Sequence, residues 1–285
     1  MRLIRFRHAN EIHTGVLSAR GVVPVAEINA RRGTNVADDL LEIIRRNAVS
    51  EIAAIDGLPA IPLGEVTPLI PYDAPPKIWC IGLNYRSHAD DIQAVQPEEP
   101  GSFMKPASCM FQPNGEIILP PPEISNDVDA EGELGVIIGR KCRFVPAEHV
   151  QDVIFGYTTT LDLTALDVLR KNTRYLTRAK SIDTFFSFGP VVVTADEIPD
   201  VESLEVITEH NDAIWSRDFV RNMRTRPGEL VRYHSDFMTL EPGDLISTGC
   251  PKGARIRAGD RVRARIDGVS VLAATVRQGA REVKY

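Results

Sequence analysis

Apolar and polar positions alternate over short spans along most of this chain. From Glu131 onward the segments ELGVIIG, DVIFGYTTTLDL, GPVVVT, SLEVITEHND, DLISTG, RVRARID and VSVLAATV are short runs rich in β-branched residues, and they read as strands. Turn chemistry separates them at Pro242-Gly243-Asp244, Ala258-Gly259-Asp260 and Asp267-Gly268. Helical spacing stands out in two places there, after Thr164 and over PGELVRYHSDFM. Ahead of this region, MRLIRFRHANEIHTGVLSARGVVPVAEIN reads as short strands and NVADDLLEIIRRNA as an amphipathic helix. The proline-rich PLGEVTPLIPYDAPP resists both states and reads as a connector. KIWCIGLNYRSHADD is then an apolar strand that breaks at Gly82, followed by IQAVQPEEPGSF, a loop able to serve as a lid. Strand and helix do not alternate regularly, which disfavours a Rossmann fold or an α/β barrel. The expectation is a β-rich α+β fold, a roll or sandwich, with residues 1–72 as a small N-terminal domain and residues 73–285 as the main one.

Composition narrows the function classes. The 285 residues are 43% hydrophobic and 25% charged, an ordinary globular balance. A formal charge of −6 with dispersed basic residues argues against nucleic acid as a partner. No apolar run approaches a membrane span, and the first residues, MRLIRFR, lack the core of a signal peptide, so a cytoplasmic address is expected. Four scattered cysteines with no Cys-x-x-Cys pair argue against a zinc ribbon or a disulfide framework. Cys80, Cys109 and Cys142 have apolar neighbours and read as buried thiols, and Cys250 in STGCPKG reads as a loop residue.

The candidate chemistry centres on DVDAEGELGVIIG. In a strand, Glu131 and Glu133 project the same way, roughly 7 Å apart along the backbone. Such a pair ordinarily marks a solvated face; otherwise a positive charge must sit between the two. Asp162, among hydroxyls and apolar residues at the end of another strand, is a third carboxylate. Three carboxylates form a hard-oxygen set that suits Mg²⁺, Mn²⁺ or Ca²⁺ better than Zn²⁺. His88 and Asp91, one helical turn apart, are spaced for a carboxylate-oriented imidazole able to take a proton. Lys180, Arg178 and Lys105 lie near apolar strands as cations suited to an anion or to structural ion pairs.

Taken in order, IWCIGLNYRSHADD, SFMKPAS, DAEGELGVIIG, GYTTTLDLTALD, TRAKSIDTFFSFGP, TLEPGDLISTGCPKG and AGDRVRARIDGV resemble the segments of the fumarylacetoacetate hydrolase family. The resemblance runs from roughly Pro75 to the C-terminus, with the first 70 or so residues like the small N-terminal domain that many members carry. It implies a β-roll core, usually a homodimer, and Mg²⁺ or Mn²⁺ on Glu131, Glu133 and Asp162. It also implies Lys180 beside a bound 2-oxo acid and His88 as a lid histidine working with Asp91. Tyr85, Lys105, Arg178, Thr248 and Cys250 complete the expected substrate-binding set.

The implied activity is cleavage of a carbon–carbon bond in a 2,4-dioxo acid of the acylpyruvate, fumarylpyruvate or fumarylacetoacetate type, with a divalent ion stabilising the enolate. Decarboxylation or isomerisation of a 2-oxo diacid in aromatic catabolism is the alternative, and a non-catalytic organic-acid binder is the alternative of another class. Several positions depart from the family pattern. Asp91 stands where glutamate is frequent, Leu166 where arginine is common, and Cys250 where Thr or Ser is usual. The segment HNDAIWSRDFVRNMRTRPGEL is also unusual, and it points to Arg217, Arg221 and Arg224 as contacts for an acidic substrate tail.

Overall fold

A computed structural model describes residues 1–281. In chain order the elements are β1 (Arg2–His8), β2 (Glu11–Ser18), β3 (Gly21–Pro24), α1 (Val25–Arg32), α2 (Leu40–Arg46), β4 (Thr67–Pro68), β5 (Ile78–Gly82), α3 (Arg86–Asp91), β6 (Gly101–Met104), β7 (Glu116–Leu119), β8 (Val128–Ile138) and β9 (Ile154–Ala165). They continue with α4 (Leu166–Lys171), α5 (Leu176–Lys180), β10 (Phe186–Phe188), β11 (Val191–Thr194), β12 (Glu205–His210), β13 (Ala213–Phe219), α6 (Pro227–Phe237), β14 (Leu245–Ser247), β15 (Ala254–Ile256), β16 (Arg261–Ile266) and β17 (Ser270–Gln278). The fold is α+β and β-rich, as the alternation pattern predicts. No helix among the described residues is long and apolar enough to cross a membrane.

Two sheets form the body. The larger runs β3-β2-β1-β11-β9-β8-β14-β5-β6, with β10 on β9, β15 on β8 and β4 on β1; the smaller runs β13-β12-β16-β17-β7. The N-terminal strands join the larger sheet where β1 pairs antiparallel with β11. Strands β12, β16 and β17 pack across β8 and β9, and the layer between the sheets is filled by Leu161, Leu163, Val262 and Leu272 among others. A second core seats α1 and α2 against the far end of the larger sheet through Ile28, Leu40, Ile43 and Ile44. A third seats α6 against Trp79, Val136 and Ile246.

The central pair decides what the acidic residues mean. Strands β8 and β9 are buried at every position, as expected of strands covered on both faces. The solvated reading of Glu131 and Glu133 is thereby removed. Gly132 explains why the pair is spaced by glycine: a Cβ there would lie 2.7 Å from Thr208 Oγ1 and 3.0 Å from the Ala264 Cβ, so only a residue without a side chain lets the second sheet approach. Its backbone N–H donates to Thr208 Oγ1 at 3.1 Å.

Three sequence expectations change. VAEIN belongs to helix α1, not to a strand: Pro24 precedes it and Gly33, at φ 71°, ends it. AIWSRDF forms β13, an edge strand whose exposed residues hide the alternation; its hairpin turns through Asn211 and Asp212, both at positive φ. The end of the supposed loop, GSF, pairs with β5 as β6. Of the cysteines, Cys80 and Cys109 are buried as expected, Cys142 is only partly covered, and Cys250 is buried.

Candidate metal centre and its cavity

Antiparallel register brings the carboxylates together. Glu131 on β8 lies directly opposite Asp162 on β9, and Glu133 lies opposite Thr160. Cross-strand neighbours on one face sit about 5 Å apart, so like charges placed opposite repel. One carboxylate oxygen from each of Glu131, Glu133 and Asp162 lies within 4.8 Å of the others, and all three side chains are buried. Lys180, on α5, bridges two of them, donating to Glu131 Oε2 at 2.9 Å and to Asp162 Oδ2 at 2.7 Å. Lys105 donates to the other Asp162 oxygen and to the Leu163 carbonyl.

Electrostatics leave one acid short. Two lysines face three carboxylates, a formal residue of one negative charge in a buried place. Burial alone would raise Asp162, but Lys105 and Lys180 hold its carboxyl below the usual range. Burial opposes the charge on Lys180, yet Asp162, Glu131 and Glu133 hold its ammonium well above the ordinary value. Glu133 has no lysine of its own, and burial together with Asp162 and Glu131 pushes it up to about 8. Such a cluster fits one further positive charge, and its all-oxygen donors fit Mg²⁺ or Mn²⁺.

Neighbouring groups that sequence reasoning missed aim these oxygens. Ser247 and the Gly249 N–H both donate to Glu133 Oε2, the latter at 2.8 Å, and Thr164 donates to Glu131 Oε1. Gly249 sits at φ 94°, and a Cβ there would lie 2.8 Å from that of Asn84, so glycine alone delivers this N–H. Thr164 was legible in principle, because two residues beyond Asp162 on a strand faces the same side. Ser247 and Gly249 come from a distant segment and carry no such signal.

Above the carboxylates opens a cavity of about 280 Å³ lined by His88, Glu131, Thr164, Lys180 and Cys250 and by apolar side chains of β5, β6, α4 and α5. His88 is 7% exposed, and its Nδ1 has no partner among the described residues. One donor atom each of His88, Glu131 and Cys250 also lies within 4.8 Å of the others. Cys250 is thus a floor residue of the cavity; burial and the charges of Glu131 and Glu133 push its thiol well above the ordinary value. No sequence neighbour announced this pairing, since His88 comes from a segment some 160 residues away.

The remaining expected residues fall in different places. Asp91 does not orient His88: its carboxylate pairs with Lys252 at 2.8 Å, and its shorter side chain is spent there. Lys105 lies behind Asp162, off the cavity lining. Tyr85 is fully buried with no partner for its hydroxyl among the described residues, and Thr248 donates to the Leu134 carbonyl; neither lines the cavity. Arg178 is exposed on α5, outside the lining. Arg217 pairs with Glu205, Arg221 lies over the Phe219 ring and the Arg224 N–H donates to the Asn84 carbonyl, so the expectation that these three meet a substrate tail in this cavity is corrected. They belong to β13 and the turn after it, outside the cavity lining.

Fold and site together define a β-rich α+β protein with an acidic cluster buried in its longest strand pair. The model of the fumarylacetoacetate (FAA) hydrolase C-terminal domain matches residues 77–277, and the chain belongs to that family. It is 32% identical over 287 residues to a mitochondrial oxaloacetate tautomerase of Bos taurus, covering 95% of this chain and 90% of that one. A maleylpyruvate hydrolase from Sphingobium sp. SYK-6, solved with manganese(II) and pyruvate, superposes with a TM-score of 0.79 at 32% identity, over 98% of this chain and 100% of that one. A 2-hydroxyhepta-2,4-diene-1,7-dioate isomerase from Mycobacterium marinum superposes with a TM-score of 0.76 at 29% identity, over 99% and 100%. These relatives are enzymes, and this chain is an enzyme of the same family.

Proposed function

We propose that the chain is a divalent-metal-dependent hydrolase that cleaves the carbon–carbon bond of a 2,4-dioxo acid. The observation that carries this reading is the convergence of Glu131, Glu133 and Asp162 beside a cavity that Glu131 lines together with His88. Glu131, Glu133 and Asp162 would hold Mg²⁺ or Mn²⁺, which when bound supplies a Lewis acid for the keto oxygen of a 2-oxo acid. Lys180, fixed between Glu131 and Asp162, adds positive charge beside the substrate's carboxylate end. Ser247, Gly249 and Thr164 keep the carboxylates from turning away.

His88 supplies the proton chemistry. Its unpartnered Nδ1 and its place on the cavity lining suit it to take a proton from water as that water adds to the 4-keto carbon. The bond between C3 and C4 then breaks, the proton passes to C3, and an acylpyruvate plus water yields a carboxylic acid and pyruvate. The apolar lining limits competing water.

A second reading is favoured by Asp91. Because that carboxylate is held by Lys252, His88 lacks the acidic partner that would strengthen it as a base for water. A proton shuttle between enol and keto forms of a 2-oxo acid needs less, which fits the oxaloacetate tautomerase relative. Incubation with acetylpyruvate and with enol-oxaloacetate in Mg²⁺, for wild type and His88→Ala, separates the two. Hydrolysis predicts pyruvate and acetate from acetylpyruvate, reduced at least about a hundredfold in His88→Ala. Rapid ketonisation of oxaloacetate with acetylpyruvate left intact would overturn the hydrolase reading in favour of the tautomerase one.

A further inference from the structure

The upper walls of the cavity are almost free of charge. Ile81 of β5, Ile92 after α3, Phe103 of β6, Leu166 and Leu169 of α4 and Leu176 of α5 turn apolar surface toward it. Leu166 and Leu169, three residues apart, share a helix face, and the Leu166 N–H is anchored to the Asp127 carbonyl, which fixes that face beside β8. Among the described residues Lys180 is the one lysine or arginine in the lining, and its ammonium already bridges Glu131 and Asp162. Arg178 stands outside, and Lys252 is engaged by Asp91. A second carboxylate at the far end of a ligand would therefore meet leucine and phenylalanine side chains and, at Ser102 and Thr173, neutral hydroxyls, with no cation to pair it, an expensive burial of charge. A hydrocarbon tail there would leave water for a matching surface.

We infer that this site selects a 2-oxo acid with an uncharged, apolar far end and discriminates against diacids, with Leu166, Leu169 and Leu176 as the specificity-determining wall. The inference rests on the hydrolase reading, in which the carboxylate cluster marks the place of the 2-oxo acid head; the tautomerase reading, whose test substrate oxaloacetate is a diacid, runs against it. It sets this chain apart from the oxaloacetate tautomerase and the 2-hydroxyhepta-2,4-diene-1,7-dioate isomerase, whose substrates carry two carboxylates.

The test uses simple 2-oxo acids that share one head. Pyruvate, 2-oxooctanoate and 2-oxoadipate are titrated calorimetrically into the full chain in saturating Mg²⁺. Each methylene taken up by an apolar wall strengthens binding by about two- to fourfold. Binding of 2-oxooctanoate is therefore expected at least about tenfold tighter than pyruvate, and 2-oxoadipate no tighter than pyruvate. Leu169→Lys, at a half-buried position that tolerates a long side chain, should reverse the order of 2-oxooctanoate and 2-oxoadipate. Should that variant lose its native circular dichroism, Leu176→Lys, also half-buried, carries the same expectation. Wild-type binding of 2-oxoadipate as tight as 2-oxooctanoate would overturn the inference while leaving the head site intact. No binding of any of the three would overturn the head site and the inference with it.

Discussion

Two acidic clusters sit within this molecule, on strands that pack against each other, and they are built on opposite principles. On β12 and β16, Glu209 is met by Arg263 at 2.6 Å and by Arg265 at 3.3 Å, and nearby Glu205 is met by Arg217 at 2.6 Å, with partly exposed arginines supplying the charge. On β8 and β9, Glu131, Glu133 and Asp162 share two buried lysines, while Asp129 at the start of β8 has its own cation in Arg255 at 2.7 Å. The first arrangement is complete as it stands, one or more cations for each acid at the edge of water. The second is incomplete by one positive charge and is buried beside the cavity. Paired charges need no further partner, whereas the cluster proposed to receive an ion has a deficit and has its glutamate oxygens fixed by Ser247, Gly249 and Thr164.

Substitutions should separate the clusters by size of effect. Asp162→Asn or Glu131→Gln is expected to lower metal-dependent turnover by on the order of a thousandfold, with secondary structure intact by circular dichroism, because a buried ligand and its opposite partner are both compromised. Glu209→Gln should leave turnover within about twofold; a comparable loss there would erase the distinction. Lys180→Met should cost about 3–5 kcal/mol in denaturant midpoint analysis, since two carboxylates lose their buried cation. Arg263→Met, by contrast, should cost about 1 kcal/mol or less.

The packing between the clusters gives a smaller effect. Gly132→Ala forces a methyl group against Thr208 and Ala264, so it should cost about 1–3 kcal/mol and reduce turnover by shifting both flanking glutamates. An unchanged melting temperature would show that the sheets are not in close contact there. Smallest is a pH effect remote from both clusters. Burial holds the His234 imidazole below its ordinary value of 6.5, so the unfolded chain binds the proton more readily. Stability should therefore fall as pH drops below about 6.5, and His234→Gln should flatten that part of the profile. A profile identical in the variant would dismiss this contribution.

Much of this contrast was legible before any coordinates. The same-face placement of Glu131 and Glu133 follows from strand period alone, and Asp162 was recognisable as the third carboxylate from its position at a strand end. What could not be read was burial, because a Glu-x-Glu repeat looks the same on a solvated strand as on one covered by a second sheet. Register was equally hidden: nothing local tells Glu131 that Asp162 is its opposite. Contacts of long sequence separation escaped for the same reason, including Ser247 on Glu133 and Cys250 beside His88. The pairing of Asp91 with Lys252 was misread as a partnership with His88, since helical spacing makes two side chains neighbours without deciding which long-range cation will claim one of them. Strand β13 was missed because both its faces carry polar or exposed positions, which removes the period-2 signal.

The central claim is that the charge deficit between β8 and β9 is a place for one divalent ion. Titration of Mn²⁺ into the full chain, followed by electron paramagnetic resonance of the free ion, measures this directly. One Mn²⁺ per chain is expected for wild type, with binding weakened at least about a hundredfold in each of Glu131→Gln, Glu133→Gln and Asp162→Asn and unchanged in Glu209→Gln. Retention of wild-type Mn²⁺ binding by all three site variants would contradict the claim.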